Sequence, residues 1–343
     1  MLPAYAQPVL SPDLRIESIA DGLTFPWSLT FLPAGGALVS ERPGRLRRLT
    51  ASGLAAPLSG VPPVVNLLDV APDADFTRSS RLFISMVRFE GDEAALEVWA
   101  ARLGEAALLD AHRIYRASGQ TSALPVLHSG RLLVLAPFSV LVSVSDVDDR
   151  DSRAQDDASH AGKIVHLSSG AQPRIAARGV RNAQGMARDG AWIWFTDHGP
   201  SGGDELNALR HGANYGWPFV SFGSHYDGRP IPATAPDALE VQMPVVHWTP
   251  AIAPSSLVAY EGAEFPEWRG SLFVGSLAGR HLRRLELKDG ALVREETLLA
   301  DLGERIRDVR VDDRGRIHVL TDGLHGRVLR IARKNRKPPP AAR

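Results

Sequence analysis

The stretch "WSLTFLPAGGALVSERPGRLRRL", Trp27 to Leu49, holds an apolar strand, a Pro-Ala-Gly-Gly turn, a second strand ending in Ser40-Glu41, and a third opened by Gly44-Arg45. Glycine and proline punctuate it, and each run between them is strand-length and rich in β-branched or aliphatic residues. The same theme returns in "RDVRVDDRGRIHVLTDGLHGRVLRI", Arg307 to Ile331. Looser copies lie between them: "LLDVAPDADFTRSSRLFISMV", "RLLVLAPFSVLVSVSD", "QGMARDGAWIWFTDHG" and "SLVAYEGAEFPEWRGSLFVGSLAGRHLRRL". Roughly six units of about 50 residues result, the signature of a radial array of four-stranded sheets. The pattern predicts an all-β chain, a six-bladed β-propeller of four-stranded antiparallel blades. No composition shift or linker divides it, so one domain is expected over residues 12–333. The strand "DLRIESIADGL" (Asp13 to Leu23) is expected to complete the last blade and lock the ring. The basic, proline-rich residues 334–343 read as a disordered tail.

Composition narrows the function classes. The 343 residues carry 39 Lys and Arg against 39 Asp and Glu, so the broad positive field of a nucleic-acid or membrane-surface binder is missing. There is no cysteine, which removes disulfides, thiolate metal sites and cysteine nucleophiles. The longest apolar runs are too short, and too broken by Pro137, to span a bilayer as a helix. Ala4-Tyr5-Ala6-Gln7 has the small-x-small pattern of a signal-peptide cleavage site, which sets an expectation of a periplasmic or secreted protein. No Gly-x-Ser-x-Gly elbow, phosphate loop, dinucleotide fingerprint or His-Glu-x-x-His pair occurs.

In a propeller, the loops leaving equivalent strands gather at one end of the central channel. Glu41, Asp146, Asp197-His198, Ser276 and Thr321-Asp322 should therefore share a face, the default site. The richest polar stretch runs from Arg178 to Pro218. It supplies Arg181, the amides of Asn182 and Gln184, several glycines, and the oxygen donors Asp204, Glu205 and Asn207. Such a stretch suits a hard cation such as calcium, or equally a long connection whose Asp and Asn satisfy turns. Arg305 and Arg307 alternate along one strand and so point the same way; they clamp a polycarboxylate or are solvated. Trp248 stacks on a planar ligand or packs between blades. In "VLHSGRLLV", His128 is either a base or a polar residue at the mouth of a strand.

The segments "GVRNAQGM", "DHGPSGGDELN", "GANYGWP", "WTPAIAPS", "PEWRGSLFVGSLAG" and "LGERIRDVRV", with "FPWSLTFLPAGGALVSERPGRLR", resemble the soluble PQQ-dependent sugar dehydrogenases, the aldose sugar dehydrogenase and glucose/sorbosone dehydrogenase family. The resemblance is dense from Arg178 to Ile331 and patchy from Val61 to Arg178. It implies a calcium-assisted quinoprotein that oxidises the C1 hydroxyl of an aldose to a lactone, passing hydride to pyrroloquinoline quinone (PQQ) and then electrons to a diffusible acceptor, as a monomer or dimer.

Carried over motif by motif, the resemblance puts Arg181 and Asn182 on the quinone, with Arg181 as electrophilic support. Trp248 and Thr249 would line the cofactor pocket, and Arg305 and Arg307 would hold PQQ carboxylates. The Gly199 and Pro200 carbonyls fall to a cofactor-site calcium, Glu205 and the Tyr215 carbonyl to a second, structural calcium, and the role of general base to His128. The chain also departs from the family pattern. Only Ser129 and Gly130 separate His128 from Arg131, one residue fewer than usual. "VVNLLDV" replaces a Gly-Gln-x-Gly-Leu-Leu-Asp segment, "APFS" (Ala136 to Ser139) replaces a "GPDG" turn, and Ala278 stands where some relatives have lysine. These losses fall on the substrate side. They keep a second reading open, a catalytically impaired propeller that binds or scaffolds; a third is a calcium-dependent lactone hydrolase.

Overall fold

The computed structural model describes residues 14–33, 35–119, 128–146, 152–235 and 239–334. Residues 1–13 and 335–343, which carry the proposed export signal and nearly all of the tail, lie outside this set. Strands account for almost all regular structure; the helical segments are single turns such as Phe76–Ser79. No described helix is long and apolar enough to cross a membrane.

The strands form six sheets. The first blade holds Pro26–Phe31, Ala37–Glu41, Arg45–Thr50 and Gly53–Pro57; the second holds Asn66–Pro72, Arg81–Glu90, Glu93–Leu103 and Leu108–Arg116. The third holds Leu132–Ala136, Ser139–Val144, Lys163–Ser168 and Arg174–Arg178, with a two-residue parallel strand, Ala213–Asn214, added at its outer edge. The fourth takes Ala183–Asp189, Trp192–Asp197, Asp204–Ala208 and Val246–Trp248, and the fifth Pro254–Tyr260, Ser271–Ser276, Leu282–Lys288 and Ala291–Leu298. In the sixth, Ile306–Val311, Ile317–Thr321 and Gly326–Arg333 are completed by Leu14–Leu23, which pairs antiparallel with the last strand from Leu14–Arg333 to Leu23–Gly326. The expected amino-terminal closing strand is therefore present, and Arg330 reinforces it by donating to Glu17 at 2.7 Å.

The first strand of each sheet touches the first strand of the next, and the sixth touches the first, so the sheets close into a ring. Burial follows position in the blade. Second strands such as Ala37–Glu41, Ser271–Ser276 and Ile317–Thr321 are buried at every residue. Sandwiched between neighbouring blades, they carry apolar residues on both faces, as in Leu38-Val39 and Leu272-Phe273-Val274, and turn polar at their ends. Outer strands such as Ala291–Leu298 are exposed along much of their length. The cores lie between blades: one cluster joins Trp27, Phe83, Leu96 and Val142, another Tyr260, Phe273, Val309 and Leu329.

An antiparallel meander puts the end of each second strand beside the start of each first strand, at the same end of the axis. That end holds the polar residues.

Candidate active site

A cavity of about 340 Å³ opens there, lined by Trp27, Asn66, His128, Asn182, Gln184, His198 and a charged group of Arg42, Arg305, Arg307 and Asp322. Arg42, His198, Leu277 and Asp322 each follow the end of a second strand, whereas Trp27, Asn66, Gln184 and Arg307 sit near the starts of first strands. Blade architecture alone thus converges residues nearly 300 positions apart in the chain.

The charged group is three guanidiniums around one carboxylate. Arg305 Nε and Arg307 Nη2 reach Asp322 Oδ2 at 3.2 and 3.3 Å, and Arg42 Nη2 stands 4.0 Å from Asp322 Oδ1. Burial alone would raise the Asp322 pKa, but Arg307, Arg42 and Arg305 outweigh it and hold the carboxyl below its ordinary range. The cluster keeps an excess of positive charge facing the cavity, where an anion is well placed to compensate it. Arg307 is buried, whereas the Arg305 side chain is 45% exposed, so the pair has one fixed and one adjustable arm.

His128 lines the same cavity with only 7% exposure, and neither ring nitrogen bonds any described residue. Burial pushes its pKa down to about 4, so the imidazole is neutral at pH 7, with a lone pair available. Its backbone is held instead: the His128 carbonyl accepts from Gln184 Nε2 at 3.3 Å. Gln184 also donates to Asn182 Oδ1 at 3.0 Å and accepts from Arg307 Nη1 at 3.4 Å. One amide therefore joins the histidine, the asparagine and the arginine cluster.

A second, smaller chamber of about 10 Å³, room for a single water-sized guest, lies behind His198, which lines both. Arg181, Asp197, Gly199, Glu205, Tyr215 and Trp217 line it. Asp197 spends both oxygens on the N–H groups of Arg181 and Asn182 at 2.8 and 2.5 Å. Asp204 does the same with those of Gly199, Ile252 and Ala253 at 3.0, 2.7 and 2.7 Å, so its part is the turn-satisfying one. Glu205 accepts from Asn207 at 3.0 Å; burial, with Asp197 nearby, pushes its pKa up to about 8. Among the described residues no three His, Asp or Glu side chains converge as a metal-binding group; a cation here would rest on Glu205 and backbone carbonyls.

The structure thus brings His128, Asn182, Arg305 and Arg307 to one cavity and Arg181, Gly199, Glu205 and Tyr215 to its neighbour. Arg181 Nη1 donates to the Gly199 carbonyl at 3.0 Å, and its guanidinium stands 5.2 Å from the centre of the Trp217 ring. Trp248 and Thr249 line neither chamber. Trp248 is buried in an interblade core and donates to Glu295 at 2.8 Å, while Thr249 Oγ1 accepts from Gly203 N at 2.9 Å and bonds the Phe222 carbonyl at 3.2 Å. Pro200 is buried beside Gly199. Sequence reasoning missed Trp27, Arg42 and Asn66 as lining residues. For Arg42 a signal existed: it follows Glu41, at the end of a second strand.

Comparisons with known proteins agree with this architecture. The family described as Glucose / Sorbosone dehydrogenase matches residues 23–330. The aldose sugar dehydrogenase YliI of Escherichia coli is 33% identical over 350 residues, covering 94% of each chain. A crystal structure of a glucose dehydrogenase superposes with a TM-score of 0.86 at 36% identity, covering 92% of this chain and 99% of that one. The PQQ-bound aldose sugar dehydrogenase of Streptomyces coelicolor, 22% identical and covering 93% of this chain and 98% of its own, shares the fold with a TM-score of 0.73. The chain belongs to the glucose/sorbosone dehydrogenase family of oxidoreductases.

Proposed function

We propose that this chain is a calcium-assisted quinoprotein that oxidises the C1 hydroxyl of an aldose to a lactone with PQQ as hydride acceptor. The observation that carries the reading is a single cavity holding both an arginine cluster and a buried, neutral histidine whose ring bonds no described residue. The family membership and the PQQ-bound relative that shares the fold support it.

The residues fit the group. PQQ is a planar tricarboxylate, and the cavity offers three guanidiniums against one carboxylate, with the Nε of both Arg42 and Arg307 buried and without a hydrogen-bond partner among the described residues. When bound, PQQ supplies the two-electron sink that protein side chains lack. Arg305 and Arg307 would bind its carboxylates, and Asn182, braced by Gln184, would contact its ring system. His128 would take the proton of the sugar C1 hydroxyl on a ring nitrogen as the C1 hydride departs, leaving the lactone; burial keeps the imidazole neutral at pH 7, so that nitrogen can accept. Trp27 and Asn66 would face the sugar.

Glu205 and the Tyr215 carbonyl would hold one calcium, and the Gly199 and Pro200 carbonyls a second at the cofactor. Arg181 would yield the Gly199 oxygen to that cation and turn its guanidinium to electrophilic support. Trp248 and Thr249 would then act from behind, bracing the Gly199–Gly203 loop through the Gly203 N–H. Export to the periplasm or beyond belongs to the same reading, since a quinoprotein passing electrons to a diffusible acceptor needs contact with that acceptor's compartment.

The test is reconstitution of the purified protein with PQQ and calcium, followed by dye-linked reduction with a panel of aldoses. Sugar-dependent reduction is expected. Measured PQQ binding with no turnover of any sugar would sink the dehydrogenase reading in favour of a binding propeller.

A further inference from the structure

We propose that Arg131 is a positioning residue, the axle on which the innermost strands of all six blades converge, and that it sets the direction of the His128 ring. Arg131 is 1% exposed and meets every blade. Its guanidinium stands 4.3 Å from the centre of the Trp27 ring in the first blade. Nη1 ion-pairs at 3.4 Å with Asp69 of the second and at 3.4 Å with Asp308 of the sixth. Its own N–H donates to Ser143 Oγ of the third at 2.9 Å. Nε donates to the Gln184 carbonyl of the fourth at 2.8 Å, and Nη2 to the Ser255 carbonyl of the fifth at 3.1 Å. Arg310 completes a neutral quartet, 2.9 Å from Asp308 and 3.5 Å from Asp69. Arg131 Nη1 makes no hydrogen bond to a described residue and holds the two carboxylates by charge alone; a planar, permanently charged fork meets partners in this many separate directions.

The link to His128 is covalent and short. Its ring bonds no described residue, so its direction is inherited from the backbone of His128-Ser129-Gly130-Arg131. That backbone is tied on both sides of Ser129. The His128 carbonyl accepts from Gln184, Gly130 N donates to the Ser143 carbonyl at 2.9 Å, and the Gly130 carbonyl accepts from Ser85 Oγ at 2.6 Å. Gly130 has φ +89°, and a Cβ there would lie 2.7 Å from Leu68 Cδ1, so the turn is closed against the second blade. Gln184 gives Arg131 its carbonyl and His128 its amide, binding the axle and the histidine a second way. A loop of two residues between His128 and Arg131 is thereby an asset, because fewer bonds separate the imidazole from its anchor.

The catalytic part of this inference rests on the dehydrogenase reading; the positioning part does not. The test is Arg131→Lys, which keeps the charge and loses the fork, with His128 followed by NMR of ¹³C-labelled imidazole across pH. The other charged groups lining the cavity, His198, Arg42, Arg305, Arg307 and Asp322, are unaltered in the variant. The expected result is a folded protein whose His128 resonance moves and titrates nearer to free imidazole, with PQQ affinity kept. In active enzyme kcat falls roughly 10- to 100-fold with KM little changed, the scale of a catalytic group misplaced by an ångström. An unchanged His128 titration in folded Arg131→Lys overturns the proposal. Should that variant not fold, Ser143→Ala, which loosens the Arg131 backbone without stranding a charge, decides by the same readout. Wild-type protein without dye-linked turnover would defeat the dehydrogenase reading alone, since the titration still judges the axle.

Discussion

The two chambers that share His198 differ in charge and in the way that charge is held. In the larger, Arg42, Arg305 and Arg307 surround the single carboxylate of Asp322, whereas in the smaller, Asp197 and Glu205 face one guanidinium, that of Arg181. The first has positive charge in excess on side chains that keep N–H donors to spare. The second sets two carboxyls against one guanidinium, but burial pushes Glu205 up to about 8, so it gives up its proton at neutral pH only when a cation takes the proton's place, and Asp197 has already committed its oxygens to backbone N–H groups. A positive cavity beside a chamber whose buried carboxyl ionises on taking up a cation suits an anionic organic ligand beside that cation, each lowering the cost of holding the other. An undivided polar pocket would not separate them.

This comparison can be broken by substitutions that belong to one chamber only. The largest effect is expected from His128→Ala, a kcat loss of about 10²- to 10⁴-fold, the usual worth of a general base, with PQQ affinity and calcium-dependent melting unchanged. Turnover within a few-fold of wild type would remove His128 from the chemistry. Next comes Arg307→Ala, read by PQQ titration. A buried charge-assisted hydrogen bond is worth about 1.5–3 kcal/mol, so affinity should fall roughly 10- to 100-fold, and less for the more exposed Arg305→Ala.

Glu205→Gln tests the smaller chamber through the calcium dependence of the melting temperature. A ligand at about 100 times its Kd stabilises by about 2.7 kcal/mol, a shift that the variant should lose. Two distinct sites predict that Glu205→Gln weakens PQQ less than Arg307→Ala does; equal losses would merge the chambers into one functional unit.

The smallest effect is the acid dependence of stability. His128 titrates near 4 when folded because burial disfavours its charged form, against about 6.5 when unfolded. Below 6.5 the unfolded chain takes up the proton first. The stability from keeping this imidazole neutral is therefore fully present above pH 6.5 and is lost as pH falls toward 4, about 1–2 kcal/mol by pH 5.5. Denaturant melts at pH 7.5 and 5.5 should show a smaller drop for His128→Asn than for wild type. An identical drop would place the acid sensitivity elsewhere, as at His281, which burial also pushes down to about 4.

Much of this was legible in one dimension because it is local. Six repeated strand-turn-strand units of about 50 residues matched a ring of sheets better than a sandwich or a barrel. The spacing of Arg305 and Arg307 aimed both side chains the same way, and the structure decided that they face a cavity rather than solvent. The stretch from Arg178 to Tyr215 was legible as polar and glycine-rich, but not which of its carboxylates saturate turns. Asp204 and Glu205 are neighbours in sequence; their division of labour depends on whether the N–H groups of Ile252 and Ala253 arrive from the next blade.

By itself the sequence determined the number and order of the blades, the closing strand at Leu14–Leu23, and the end of the axis where polar residues collect. Each follows from periodicity and turn chemistry acting over a few residues. Only the tertiary structure decided that Arg42 and Asn66 reach the cavity, that Trp248 packs between blades, and that Arg131, three residues beyond His128, meets all six blades. Those facts arise from strands hundreds of residues apart meeting on one axis, and a guanidinium's partners cannot be read before the ring that supplies them is closed.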